Sequence, residues 1–176
     1  FKLVFDRAIF RKSLMIALPT GLQQTFVSLG MLAVTRIVNG FGTDVIAAYS
    51  AAGRLDSLAG MPAMNFGAAL STFVGQNMGA NKPDRVKQGL KSTFMMSGAL
   101  ALLTSLVVII FRHQLMHLFT DDVAVIAIGA EYLVIVSSFY IFFSTMFVIG
   151  GVMRGAGDTL IPMFITLFAL WAIRIP

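Results

Sequence analysis

Long uncharged apolar stretches, each ended by a short polar break, set the pattern of this chain. Residues 13–35, 57–81, 92–111, 132–153 and 159–173 contain no Asp, Glu, Lys or Arg. A helix needs about 20 such residues to cross the hydrocarbon of a bilayer. The pattern therefore predicts spans over 13–38, 45–79, 84–111, 122–152 and 159–176, the last one partial. Residues 1–12 (FKLVFDRAIFRK) are too charged for the apolar core of a signal peptide and read as a cytoplasmic linker. The predicted fold class is all-α, a polytopic transmembrane helix bundle with about five membrane-spanning helices in one lobe over 13–176.

The breaks carry helix stop and start signals. Asn39-Gly40-Phe41-Gly42 supplies glycine for a left-handed C-terminus. Asn81-Lys82-Pro83-Asp84 reads as a start, with Asn81 capping, Pro83 in the first turn and Asp84 at the positive end of the dipole. Thr120-Asp121-Asp122 opens the fourth helix in the same manner, and residues 155–159 (GAGDT) end one helix and cap the next. Such short connections make successive helices antiparallel neighbours.

Composition agrees with the pattern. Hydrophobic residues are 57% of the chain, charged residues 12%, and the mean hydropathy is +0.86. Soluble domains carry roughly 25% charged residues to cover their surfaces. Cysteine is absent, which excludes disulfide and thiol chemistry. The net charge of +5 is a matter of placement. Alternating sides put Lys2, Arg7, Arg11, Lys12, Lys82, Arg85, Lys87, Lys91 and Arg154 on one face. Asp44, Arg112, Asp121 and Asp122 fall on the other, with Arg36 and Arg174 near it. The basic face is cytoplasmic by the positive-inside rule, so the N-terminus starts inside. These charges read as topology determinants, and no nucleic-acid partner is expected.

Candidate chemistry lies at span depth and at the inner turns. Pro19 and Pro62 fall inside spans, where a proline removes a backbone hydrogen bond and kinks the helix. With Gly21, Gly30, Gly60 and Gly67 they serve either as bending points or as ordinary packing positions. Arg54 and Asp56 lie inside the second span, two residues apart and on different faces, so they do not pair with each other. Asp56 is a candidate cation or proton site, or a structural partner of another helix. Gln23, Gln24 and Asn65, with Ser137, Ser138, Ser144 and Thr145, either line a cavity or join helices. His113 and His117 have helical spacing for a metal, but Gln114 stands where a catalytic zinc motif needs Glu. No Ser-His-Asp set, phosphate loop or carboxylate pair is present in the sequence. No catalytic residues, metal or cofactor are expected, and the chain reads as a non-enzyme.

Two inner-face segments are more specific. They are residues 74–81 (VGQNMGAN) and 151–162 (GVMRGAGDTLIP). With residues 14–24 (LMIALPTGLQQ) and 171–176 (WAIRIP), they resemble the multidrug and toxic compound extrusion (MATE) family of secondary transporters. The resemblance covers essentially the whole chain. It implies two lobes of six helices, of which this chain is similar to most of the second, so that an N-terminal lobe of the same polypeptide is a missing partner. The start at Phe1 and the stop at Pro176 inside an apolar run fit a piece of a longer polypeptide.

The family resemblance implies export of organic, often cationic, small molecules in exchange for Na+ or H+, from a bacterial inner membrane. The alternatives are a lipid-linked oligosaccharide flippase of the same superfamily and a non-transporting membrane module. Gln76, Asn77, Gly79, Arg154, Gly155 and Asp158 match the family's inner turns and are gating candidates. Arg154 and Asp158 are placed to cap helix ends and bind neighbouring loops, as a latch for the outward-open state. The sequence departs from one sodium-coupled branch, which has a Glu on the first helix and an Asp on the fourth. The corresponding regions here hold Gln24 and Phe26, and Phe143.

Overall fold

The computed structural model describes residues 5–175, and it is all-α among them. Lys2, Pro176 and the side chain of Arg174, all used above, lie outside the described residues. Helix α1 spans Arg7–Val38, α2 Thr43–Gly79, α3 Pro83–His117, α4 Val123–Ser137, α5 Tyr140–Gly155 and α6 Leu160–Phe168. A 3-10 turn, Asn39–Phe41, joins α1 to α2, and a π-helical stretch, Ala169–Arg174, continues α6. Helices overlie each predicted span, although α1 already begins at Arg7 within the segment expected as a linker.

Local chemistry explains most boundaries. The Asp6 carboxylate accepts from Ala8 N at 2.8 Å and so caps α1. Asp122 does the same for α4, accepting from Ala124 N at 2.8 Å and Val125 N at 3.3 Å. The start of α3 differs from expectation. Asn81 is not the cap but takes a left-handed conformation (φ 58°), and Lys82 precedes Pro83 in the cap position. A short amide side chain tolerates that conformation better than most residues.

The predicted single helix over 122–152 is instead two helices bent by 48°. Serine chemistry accounts for the break. The hydroxyls of Ser137 and Ser138 both donate to the Val134 carbonyl, at 3.3 and 2.7 Å, and Phe139 N closes a tighter turn onto Val136 O at 3.0 Å. By contrast, α1 and α2 continue through Pro19 and Pro62. The other departure from helical geometry is at Phe111 in α3 (φ −99°, ψ 15°).

Helix α2 is the hub, packed against α3, α4 and α5, while α1 and α6 pair with each other at the side. The interior divides along α2. One cluster joins Ala52, Val108, Met116, Ile126, Leu133 and Tyr140; the other joins Leu70, Val74 and Val148. Many large apolar side chains point outward instead, including Met95 (65% exposed), Leu102, Leu106 and Ile110 along one side of α3. Small residues inside and large apolar ones outside suit a lipid-facing bundle. By length and apolarity α3 alone is long enough to cross a membrane, and α4 with α5 jointly.

Candidate functional site

Two polar features and one close backbone seam stand out in this apolar bundle. The first is an open groove of about 610 Å³ between α1 and the outer half of α2. Thr35, Tyr49, Ser50, Arg54, Leu58 and Phe119 line it. Arg54 is exposed in the groove and makes no ion pair among the described residues. The Thr35 hydroxyl is directed back to Met31 O at 2.9 Å, and that of Ser57 to Gly53 O at 2.8 Å.

The second feature surrounds Asp56, on the opposite side of α2. The Tyr140 hydroxyl, first residue of α5, has Asp56 as its charged and hydrogen-bonding neighbour, with Tyr132 of α4 beside it. The contact is looser than a standard hydrogen bond, because Tyr140 Oη forms none of strict geometry. Tyr132 in turn stacks edge-on against Tyr49, with centroids 5.6 Å apart at 73°. Tyr140 and Tyr132 thus sit with Asp56 at the level of the α4–α5 break, and Tyr49, the third tyrosine of the chain, joins them through Tyr132. Sequence reasoning missed this cluster. Phe143, where the sodium-coupled pattern would place an acid, turns its ring against Gly60 and packs on Phe147 at 4.7 Å.

The third feature is a seam of backbone contact at the inner end. A Cβ added at Gly67 would lie 2.6 Å from Phe147 O. Gly151 faces Gly67 O with no room for a side chain, and Gly155 faces Ser71 O and Val74 in the same way. Partner numbers rise together along both helices, so α2 and α5 run parallel here. Gly67, Ser71 and Gly75 follow the i, i+4 spacing that allows such close approach, a signal present in the sequence.

The remaining candidates distribute as follows. Asn77 is buried and donates to Phe73 O at 2.8 Å, while its own carbonyl accepts from Lys82 N at 2.8 Å. Gln76 and Gly79 are exposed at the α2 end. Asp158 accepts from Ile161 N at 3.2 Å, as a cap for α6. Half-buried Arg154 folds its guanidinium back over Gly150. Arg154 and Asp158 thus form no ion pair with each other. Gln23 bridges α1 to α6, donating to Thr166 Oγ1 at 2.8 Å and to Pro162 O at 3.4 Å. Trp171 adds a bond to Phe26 O at 3.3 Å. Gln24 and Asn65 are exposed and join neither cluster.

The comparisons with known proteins converge. The chain is 32% identical over 99% of its length to the probable multidrug resistance protein YoeA of Bacillus subtilis, covering 38% of that relative. It is 33% identical to the probable multidrug resistance protein YpnP of the same organism, over 93% of this chain and 37% of the relative. Similarity to the probable multidrug resistance protein NorM of Pasteurella multocida is 31% over 86% of the chain, covering 33% of that protein. This chain thus spans between 33% and 38% of the length of these relatives. The MatE family model matches residues 19–176, so the chain belongs to the MatE family, whose transporters are integral membrane proteins.

Proposed function

We propose that this chain is most of one lobe of a secondary active exporter, moving organic small molecules, cationic ones among them, across a bacterial inner membrane in exchange for Na+ or H+. The observation that carries the reading is the open groove in the outer half of the bundle, where Arg54 and the hydroxyls of Tyr49 and Ser50 are set in a largely apolar wall. Similarity to proteins described as multidrug resistance proteins supports it. A second lobe of the same polypeptide would close the groove into a central cavity.

The orientation proposed places the N-terminus in the cytoplasm. Arg7, Arg11 and Lys12 begin α1, Lys82, Arg85, Lys87 and Lys91 cluster at the α2–α3 turn, and Arg154 ends α5. Alternating traverses bring all of these to one end. The seam between Gly67, Gly151 and Gly155 sits at that end, beneath the groove. Helices in direct backbone contact form a rigid pair, so a swing of the lobe carries α2 and α5 together. Arg154 and Asp158 would hold the inner turns, Arg154 by covering Gly150 and Asp158 by capping α6. No catalytic step is assigned.

The test is transport by the full-length protein in proteoliposomes, with Na+ and pH gradients imposed separately. Uptake of a cationic dye into inside-out vesicles should require one of the two gradients. Uptake indifferent to both, or none for any compound of a broad panel, would overturn the exporter reading.

A further inference from the structure

We propose that the groove between α1 and α2 is a site for the carboxylate of an aromatic compound, held by Arg54 with the hydroxyls of Tyr49 and Ser50. The ligand is called a substrate only on the strength of the export reading; the binding chemistry stands apart from it.

Three donors carry the inference. Arg54, Tyr49 and Ser50 all line the groove, and none donates a hydrogen bond or forms an ion pair among the described residues. That sets them apart from Thr35 and Ser57, whose hydroxyls are spent on the carbonyls one turn back. Position matters as much. Arg54 lies about three turns into α2, where a guanidinium facing lipid is costly and an unpaired one faces water or a ligand. The nearest acid in sequence, Asp56, is turned to the other side of the helix toward Tyr140. Asp122 is occupied as the cap of α4, and Asp121 lies 4.0 Å from His117. Positive charge and donors therefore outnumber acceptors in the groove.

Shape and wall chemistry specify the rest of the ligand. A volume of about 610 Å³ is in the range of small-molecule sites. Leu58 and Phe119 give it an apolar wall, and Tyr49 offers a ring already fixed by stacking on Tyr132. A planar carboxylate matches the fork of a guanidinium in a bidentate pair. The body that follows should be flat and apolar.

Binding, not flux, is the decisive measurement. The full-length protein in neutral phosphatidylcholine nanodiscs would be titrated with 1-pyrenebutyrate and, separately, with its uncharged methyl ester. The acid should bind more tightly than the ester. Arg54→Gln should weaken the acid about 10- to 100-fold, the range for a charge-assisted hydrogen bond, and leave the ester unchanged. Arg54→Lys should recover part of the loss. Ser50→Ala and Tyr49→Phe should each weaken the acid severalfold, which keeps the test open if Arg54→Gln folds poorly.

Equal binding of acid and ester, or an equal loss of both in Arg54→Gln, would overturn the site. Displacement of the acid by phosphatidylglycerol in the nanodisc would overturn it too, by assigning the donors to a lipid headgroup. Preference for the acid in a protein that moves no solute under any gradient would sink the export reading and leave the site intact. Gradient-driven export without that preference would do the reverse.

Discussion

Replacing Gly151 with alanine should loosen the inner half of the bundle, and the structure sets the size of the effect. The new methyl would be driven onto the Gly67 carbonyl, and Cα and C of Gly67 lie only 3.1 and 3.0 Å from it, where ordinary contact begins at 3.4 Å. These are backbone atoms of a continuous helix, so no rotamer change relieves the overlap. The helices must separate, which opens the contacts of Leu70, Val74 and Val148 as well. Overpacking of this kind costs about 1–3 kcal/mol. Alanine itself favours the helix by about 1 kcal/mol over glycine, so the net loss is about 0–2 kcal/mol. The comparison that isolates the clash is Gly98→Ala in α3, whose methyl would meet only Ile141 Cδ1 at 3.8 Å. The two variants should differ by about 1–3 kcal/mol, a factor of roughly 5 to 150 in the unfolding equilibrium. Reversible unfolding of the full-length protein in mixed micelles, followed by circular dichroism, reads this difference. Equal stability of Gly151→Ala and Gly98→Ala would refute the seam.

The other predictions concern single bonds. A double-mutant cycle of Gln23→Leu and Thr166→Val should return a coupling of about 0.6 kcal/mol in the same unfolding assay, the average for bonds between helices in membranes; strict additivity would remove the α1–α6 bridge. Asp122→Ala should cost about 1 kcal/mol and speed amide exchange in the first turn of α4, whereas Asp122→Asn should keep most of the cap. Unchanged exchange in the alanine variant would count against the cap. Asp158 should behave alike, with Asp158→Asn close to wild type in stability and Asp158→Ala about 1 kcal/mol worse; equal losses in both would point to an ion pair instead. Arg154→Glu should cut export by the full-length protein while membrane insertion, read by protease accessibility, is kept, and normal export would exclude a role for Arg154 at the inner turns.

The sequence revealed the elements whose causes are local. Uncharged runs marked the helices because a bilayer tolerates few charges along a span, and Asp122 announced α4 because a cap is a contact between near neighbours. The small residues 67, 71 and 75 carried the spacing of a close crossing, although not the identity of the partner. The break at 137–140 was missed for a definite reason. Ser137 and Ser138 lie in a strongly apolar run whose bulk hydropathy is that of one uninterrupted span. Their effect comes from two hydroxyls meeting one carbonyl, which average hydropathy does not register. Arg154 and Asp158, four residues apart, do not share one helix, and that spacing brings side chains together only within one. Here the left-handed Gly157 (φ 94°) lies between them and sends Asp158 into the next cap.

The sharpest case is the pair Arg54 and Asp56. Two residues along a helix rotate by about 200°, so the sequence required them to diverge without saying which faced the core. The neighbours of Asp56 decide it. Ala52, Leu55 and Ala59 pack against Val108, Leu133 and Tyr140, and that side of α2 carries Asp56 to the tyrosines. Arg54 is thereby left on the groove side with Ser50, Ser57 and Leu58, residues that contribute nothing to either interior cluster. One helical turn thus holds two chemically opposite sites back to back. A change at Arg54 acts first on the groove, and a change at Asp56 first on the level of the α4–α5 break. Tyr49, which lines the groove and stacks on Tyr132, is common to both, so a change there reaches the two sites together.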